Sequence, residues 1–155
     1  MVRKYAVIDL ETTGPKYESG DRIFQFGCTL INGDEVMEHV SLNINPEKSI
    51  PFEIQLLTGV TNADVATAPY FDEVAMTIFN LLEDRTLVAH NVGFDGPFII
   101  SALKDALDLE LEVPLIDTVQ LAQICYPTAL SYRLSDLTEA LEIRHTQVHT
   151  AGSDA

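Results

Sequence analysis

Between two apolar, β-rich runs at residues 22–31 and 36–44 stands Asn32-Gly33-Asp34, and Asn-Gly in such a setting is a strong signal for a tight hairpin. Two strands joined by so short a turn must pair antiparallel, which commits the first third of the chain to a sheet. A shorter β-rich run at 5–10 precedes them and supplies a third strand.

Beyond residue 70 the pattern changes. Phe71, Val74, Ala75, Ile78, Leu81 and Leu82 recur at three- and four-residue steps, which predicts a helix with one buried face. Residues 87–90 form a short buried strand. Pro97 lacks an amide hydrogen and fits the first turn of a helix, so the helix carrying Phe98, Ile99, Ala102, Leu103 and Leu107 is expected to begin near Phe94. That places Asp95 at a helix N-terminus beside a strand end. Leu115-Ile116 makes a last strand, 118–125 a helix, and Leu134, Leu137 and Leu141 line another, with a final helical turn expected near Asp154. A hairpin meander followed by alternating strands and helices predicts an α/β class with a five-stranded mixed sheet covered by helices on both faces.

The 155 residues, 46% of them hydrophobic, suit one compact domain spanning 1–155, and no internal repeat or low-complexity linker divides them. No apolar run reaches the ~18 residues of a spanning helix, and the N-terminus carries no signal-peptide core. A soluble, cytoplasmic protein without a membrane partner is expected. Cys28 and Cys125 lie far apart in apolar stretches, so both are expected to be buried free thiols. With 9 basic and 24 acidic residues the net charge is -15, which repels a phosphate backbone unless cations or a partner intervene. Composition alone argues against nucleic acid; only the placement of particular carboxylates can overturn that.

Asp9 and Glu11 sit two apart at the end of an apolar run, in Val-Ile-Asp-Leu-Glu-Thr-Thr-Gly, so in a strand both leave the same face. Like charges so close destabilise each other, and a divalent cation relieves the repulsion through oxygen coordination. The pair reads as half a metal site. Thr12 and Thr13 offer hydroxyls and amides near a phosphate, with Gly14 expected to permit a positive-φ turn. Asp95, in His90-Asn91-Val-Gly-Phe94-Asp95, is placed where a third carboxylate can converge on the first two. In the C-terminal run His149-Thr-Ala-Gly-Ser-Asp154, an imidazole suited to taking a proton from water stands five residues before a fourth carboxylate. His145 and His149 share the four-residue spacing of a zinc-hydrolase helix, but Thr146 occupies the position of the required glutamate.

Taken together and in this order, Asp9-Leu-Glu11-Thr-Thr-Gly, His90-Asn91-Val-Gly-Phe94-Asp95 and His149-Thr-Ala-Gly-Ser-Asp154-Ala resemble the three motifs of the DnaQ-like exonuclease superfamily, in its subgroup with a histidine. The resemblance covers nearly the whole chain. It implies a ribonuclease-H-like fold, with three antiparallel strands and two further strands parallel to the first. It also implies two divalent ions, Mg or Mn, with Asp9, Glu11 and Asp154 on one, Asp9 also reaching the other, and Asp95 joining through water. His149 would be the general base, and the product a 5'-nucleoside monophosphate. Thr12, Thr13, Leu57, Thr58, Asn91 and Phe94 would contact substrate, Leu57-Thr58-Gly59 near the terminal nucleotide. The substrate implied is the 3' end of single-stranded DNA.

Within the superfamily, Ser131-Tyr132-Arg133-Leu134 and Leu57-Thr58-Gly-Val-Thr look closest to exonuclease domains fused ahead of DinG-type helicases. Polymerase proofreading domains, or a non-catalytic interaction module of the same fold, are the alternatives, and a helicase or polymerase module is the expected partner in cis or in trans. Thr150 and Gly152 depart from the usual third motif, which is expected to loosen the loop holding His149. The last acid stands one residue before Ala155, where relatives continue into a helix. The chain is therefore expected to be the N-terminal part of a longer polypeptide, or a shortened chain.

Overall fold

The computed structural model describes residues 2–143 and 150–155. Three strands, β1 (Lys4–Thr12), β2 (Ile23–Asn32) and β3 (Glu35–Asn43), form an antiparallel meander, and β4 (Thr86–Ala89) and β5 (Leu115–Asp117) add in parallel, in the order β3-β2-β1-β4-β5. This is the mixed five-stranded sheet expected. The β2–β3 turn consists of Gly33 and Asp34 between the paired Asn32 and Glu35. Gly33 takes φ 65° while Asp34 does not turn positive, so the glycine occupies the first central position, as a II′ hairpin requires.

Along β1 the alternation separates two jobs. Ala6, Ile8 and Leu10 are buried, whereas Val7, Asp9 and Glu11, on the other face, are half-buried. The first set packs with Phe26, Cys28 and Leu30 of β2 and with two helices, α3 (Phe71–Leu82) and α4 (Val92–Leu107). Ala75, Ile78 and Leu82 supply the expected face of α3, and Phe98, Ile99, Ala102 and Leu103 that of α4. Each such large apolar side chain contributes about 1.5–3 kcal/mol by leaving water. A smaller core of Phe24, Ile50, Val60 and Val65 lies by α1 (Phe52–Thr58) and α2 (Asn62–Val65). There Gly59 ends α1 at φ 73°, and Thr61 and Asp64 exchange hydrogen bonds in a capping box that starts α2.

Four details differ from the sequence expectation. First, α4 starts at Val92, two residues early, and Pro97 lies in its second turn. Pro97 and Gly93 are both exposed, so water can satisfy the Gly93 carbonyl that loses its helical donor. Second, Cys28 is buried but Cys125 is exposed, because α5 (Thr118–Cys125) buries none of its residues. Third, Gly14 has no positive φ; what a side chain would meet there is the Asp21 carboxylate, which a Cβ would crowd. Fourth, cover on the second face of the sheet is partial among the described residues. There α7 (Ala151–Asp154) packs on β1, β2 and β3. Beside it, α5 and α6 (Leu134–Ala140) border a cleft of about 400 Å³ lined by Val7, His90, Leu121, Leu137 and Asp154 among others. None of the helices among the described residues is long and apolar enough to cross a membrane.

Candidate active site

The odd face of β1 delivers Asp9 and Glu11 side by side, opposite Gly27 and Gln25 of β2. A register shift after Glu11 ends the regular pairing and starts the loop of Thr12 and Thr13. Both threonines are buried and their hydroxyls serve the loop: Thr12 donates to the Gly14 carbonyl at 2.8 Å, and Thr13 accepts the Arg22 amide at 3.0 Å.

Asp154 arrives from the far end of the chain. Its helix approaches the sheet closely because two glycines leave room. A Cβ on Gly27 would fall inside the Ala151 carbonyl, and one on Gly152 would lie 2.8 Å from the Ser41 hydroxyl of β3. Gly152 thus lets the helix seat against β3, whereas the loop holding His149 lies outside the described residues. Gln25 adds a hydrogen bond, accepting the Ala151 amide at 2.8 Å. The result is that Asp9, Glu11 and Asp154 each offer a carboxylate oxygen, all within 4.8 Å of one another.

Asp95 flanks this trio from the first turns of α4. It is buried, and its Oδ1 accepts the Leu10 amide at 3.0 Å, in the strand segment between Asp9 and Glu11. The electrostatic consequence is strong. Burial, then Asp95, Glu11 and Asp154, push Asp9 up to about 9. Burial, then Asp154 and Asp95, push Glu11 up to about 8. Burial raises Asp95 to about 7 against the lowering effect of the Leu10 hydrogen bond, with Asp117 raising it further. Without a cation, Asp9, Glu11 and Asp95 hold protons near neutrality. An all-oxygen, partly buried donor set that repels itself fits a hard divalent ion, which would replace those protons with positive charge.

The remaining expected residues are spread more widely. Asn91 takes the left-handed conformation at φ 73° that starts α4, and its amide donates to Asp117 Oδ1 at 3.1 Å. Phe94 packs against Phe98 at 5.7 Å and lines a cavity of about 260 Å³ with Pro15, Lys16 and Tyr17. Leu57 is exposed on α1, whereas Thr58 is buried, donating to the Ile54 carbonyl and accepting the Val60 amide. His149 and His145 lie outside the described residues.

Sequence reasoning passed over the supports. Gln25 and Gly27 share a face of β2, and their signal was available: a polar side chain and a glycine interrupting the apolar run Ile-Phe-Gln-Phe-Gly-Cys. His90, a residue of the second motif, is a further support. Its ring bridges Thr118 Oγ1 at 2.9 Å and the Tyr132 carbonyl at 2.8 Å, tying the end of β4 to the segment before α6.

The fold and the acidic cluster define a nuclease domain of the ribonuclease-H-like class. The exonuclease family model, RNase_T, matches residues 6–155, and the chain belongs to that family. Among its relatives, the 3'-5' exonuclease DinG of Bacillus subtilis is 40% identical over 153 residues, covering 99% of this chain and 16% of that protein. The chain thus spans about a sixth of that relative's length. Solved structures share the fold, two DNA-bound exonucleases among them. The zinc-ion-bound complex of E. coli ExoI with single-stranded DNA has a TM-score of 0.82 at 22% identity, covering 98% of this chain and 38% of that one. Exonuclease X in complex with 5' overhanging duplex DNA has a TM-score of 0.75 at 21% identity, covering 97% and 83%.

Proposed function

We propose that this chain is a 3'-5' exonuclease domain that hydrolyses the terminal phosphodiester of single-stranded DNA and releases nucleoside 5'-monophosphates. The observation that carries this is the convergence of Asp9, Glu11 and Asp154 from the two ends of the chain, with donor oxygens within 4.8 Å. Family membership and the DNA complexes of the two structural neighbours support the substrate class.

Asp9, Glu11 and Asp154 would hold divalent cations, Mg or Mn, with Asp9 shared between two of them and Asp95 steadying the cluster from behind. When bound, two such ions stabilise both the entering and the leaving oxygen of an in-line phosphoryl displacement. His149 would take the proton of the attacking water at a ring nitrogen, with no covalent enzyme intermediate. Leu57, Thr58, Asn91 and Phe94 would position the terminal nucleotide, with Thr12 and Thr13 contributing through the backbone of their loop.

The length of the Bacillus subtilis DinG relative supports attachment in cis to a larger module, which we take to be a helicase of the DinG type. The net charge of -15 points the same way, since most affinity for a long strand must then come from elsewhere. The test is mononucleotide release from a 3'-labelled single strand with Mg, Mn or EDTA, comparing the chain with Asp9→Ala and His149→Ala. Stepwise, metal-dependent release lost in both variants is expected; release that persists in EDTA or in Asp9→Ala would refute the mechanism.

A further inference from the structure

Asp154 sits in α7, which packs on β1, β2 and β3. What fixes it is a seat on the outer face of the meander. Gln25 is buried in β2 and occupies the position paired with Glu11 on one side and Asn43 on the other. Its Oε1 accepts the Ala151 amide at 2.8 Å, and its Nε2 donates to Asn43 Oδ1 at 2.9 Å. Both ends of the amide are therefore committed, which sets the orientation of the side chain. The Ala151 amide is one of the helix-starting donors that no residue of the helix can satisfy, so Gln25 caps α7 from another strand. Ala151 is fully buried and its backbone lies against Gly27, while Gly152 lies against the Ser41 side chain, so sliding or tilting of the helix meets the backbone of β2 on one side and a β3 side chain on the other.

We propose that Gln25 is a positioning residue for the metal site: oriented by Asn43, it sets where α7 begins and thereby brings the Asp154 carboxylate to Asp9 and Glu11. Gln25 touches no reacting atom and acts only through Asp154. The inference rests on the metal-dependent exonuclease reading above. Its specific content is that the same β2 face that pairs with the Asp-x-Glu strand also registers the last ligand, so the three carboxylates are assembled by one strand.

The test is a Mn2+ titration of the chain followed by the electron paramagnetic resonance signal of free Mn2+. Gln25→Met, which keeps the volume but has no acceptor oxygen, is measured in the parent and in an Asp154→Asn background. Loss of one buried hydrogen bond predicts about tenfold weaker Mn2+ binding in the parent, and no further weakening once Asp154 is changed. Asn43 is exposed, so Asn43→Ala leaves the fold intact and serves as the second variant. By freeing the orientation of Gln25 it should weaken Mn2+ about two- to threefold, again only when Asp154 is present. Unchanged affinity in both variants, or equal weakening in both backgrounds, overturns the proposal. Absence of Mn2+ binding by the parent chain removes the metal reading itself, and the positioning role of Gln25 with it.

Discussion

The amide of Leu10 is donated to the carboxylate of Asp95 at 3.0 Å, 85 residues away in sequence. This bond ties the backbone between Asp9 and Glu11 to the start of α4, so one acid serves both the strand that carries the site and the charge of the site. Asp95→Asn and Asp95→Ala should therefore part company. The asparagine keeps an acceptor for Leu10, and its melting temperature should match the parent, while nucleotide release falls by about 100-fold. The alanine orphans a buried amide and should lose about 1–3 kcal/mol as well. Thermal melts beside activity assays separate the two; equal stability of both variants would contradict the tie.

The metal-free chain should lose stability as the pH rises. Asp9 and Glu11 are raised from 3.8 and 4.5 to about 9 and about 8 in the folded protein, and Asp95 to about 7. The folded state thus binds more protons than the unfolded one between pH 4 and 9. The contribution of these groups is fully present below about pH 4 and is lost as pH climbs through 7 to 9. In EDTA the melting temperature should fall from pH 5 to pH 9, and Mg or Mn added at pH 8 to 9 should restore it. A melting temperature that rises with pH in EDTA would be the opposite sign.

Gly27→Ala should be costlier than a strand glycine usually is. Its methyl would occupy the space of the Ala151 carbonyl, so either α7 lifts or the sheet bends. Overpacking of this kind costs about 1–3 kcal/mol. Because the displaced helix carries Asp154, Mn2+ affinity should fall together with stability. Gly20→Ala meets no atoms within 4 Å and should leave Mn2+ affinity unchanged, although its φ of 91° makes it mildly destabilising.

The charge of -15 should make binding of a long strand conditional on cations. Fluorescence anisotropy with a labelled single strand should show weak binding in Mg or Ca and none in EDTA. A tight complex in EDTA that weakens steeply with salt would reveal a basic path that the composition does not suggest.

Much of the fold was legible from local pattern. The period-two alternation through Ala6, Ile8 and Leu10 placed Asp9 and Glu11 together on the opposite face, and the three- and four-residue steps through Ala75, Ile78 and Leu82 marked α3. The start of α4 was misplaced by two residues, since Pro97 is tolerated in the second turn when the carbonyl it deprives faces water. The burial of Cys125 was misjudged because an apolar run shows helix composition without showing which helix another element covers.

By itself, then, the sequence determined the strands, the faces of the main helices and which acids were available, because periodicity and turn chemistry act over a few residues. Only the tertiary structure decided that Asp154 meets Asp9 and Glu11, that Gln25 receives an amide 126 residues away, and that burial makes proton-holding groups of Asp9, Glu11 and Asp95. Those outcomes depend on the close approach of distant backbones and on exclusion of water, and neither has a period in the sequence.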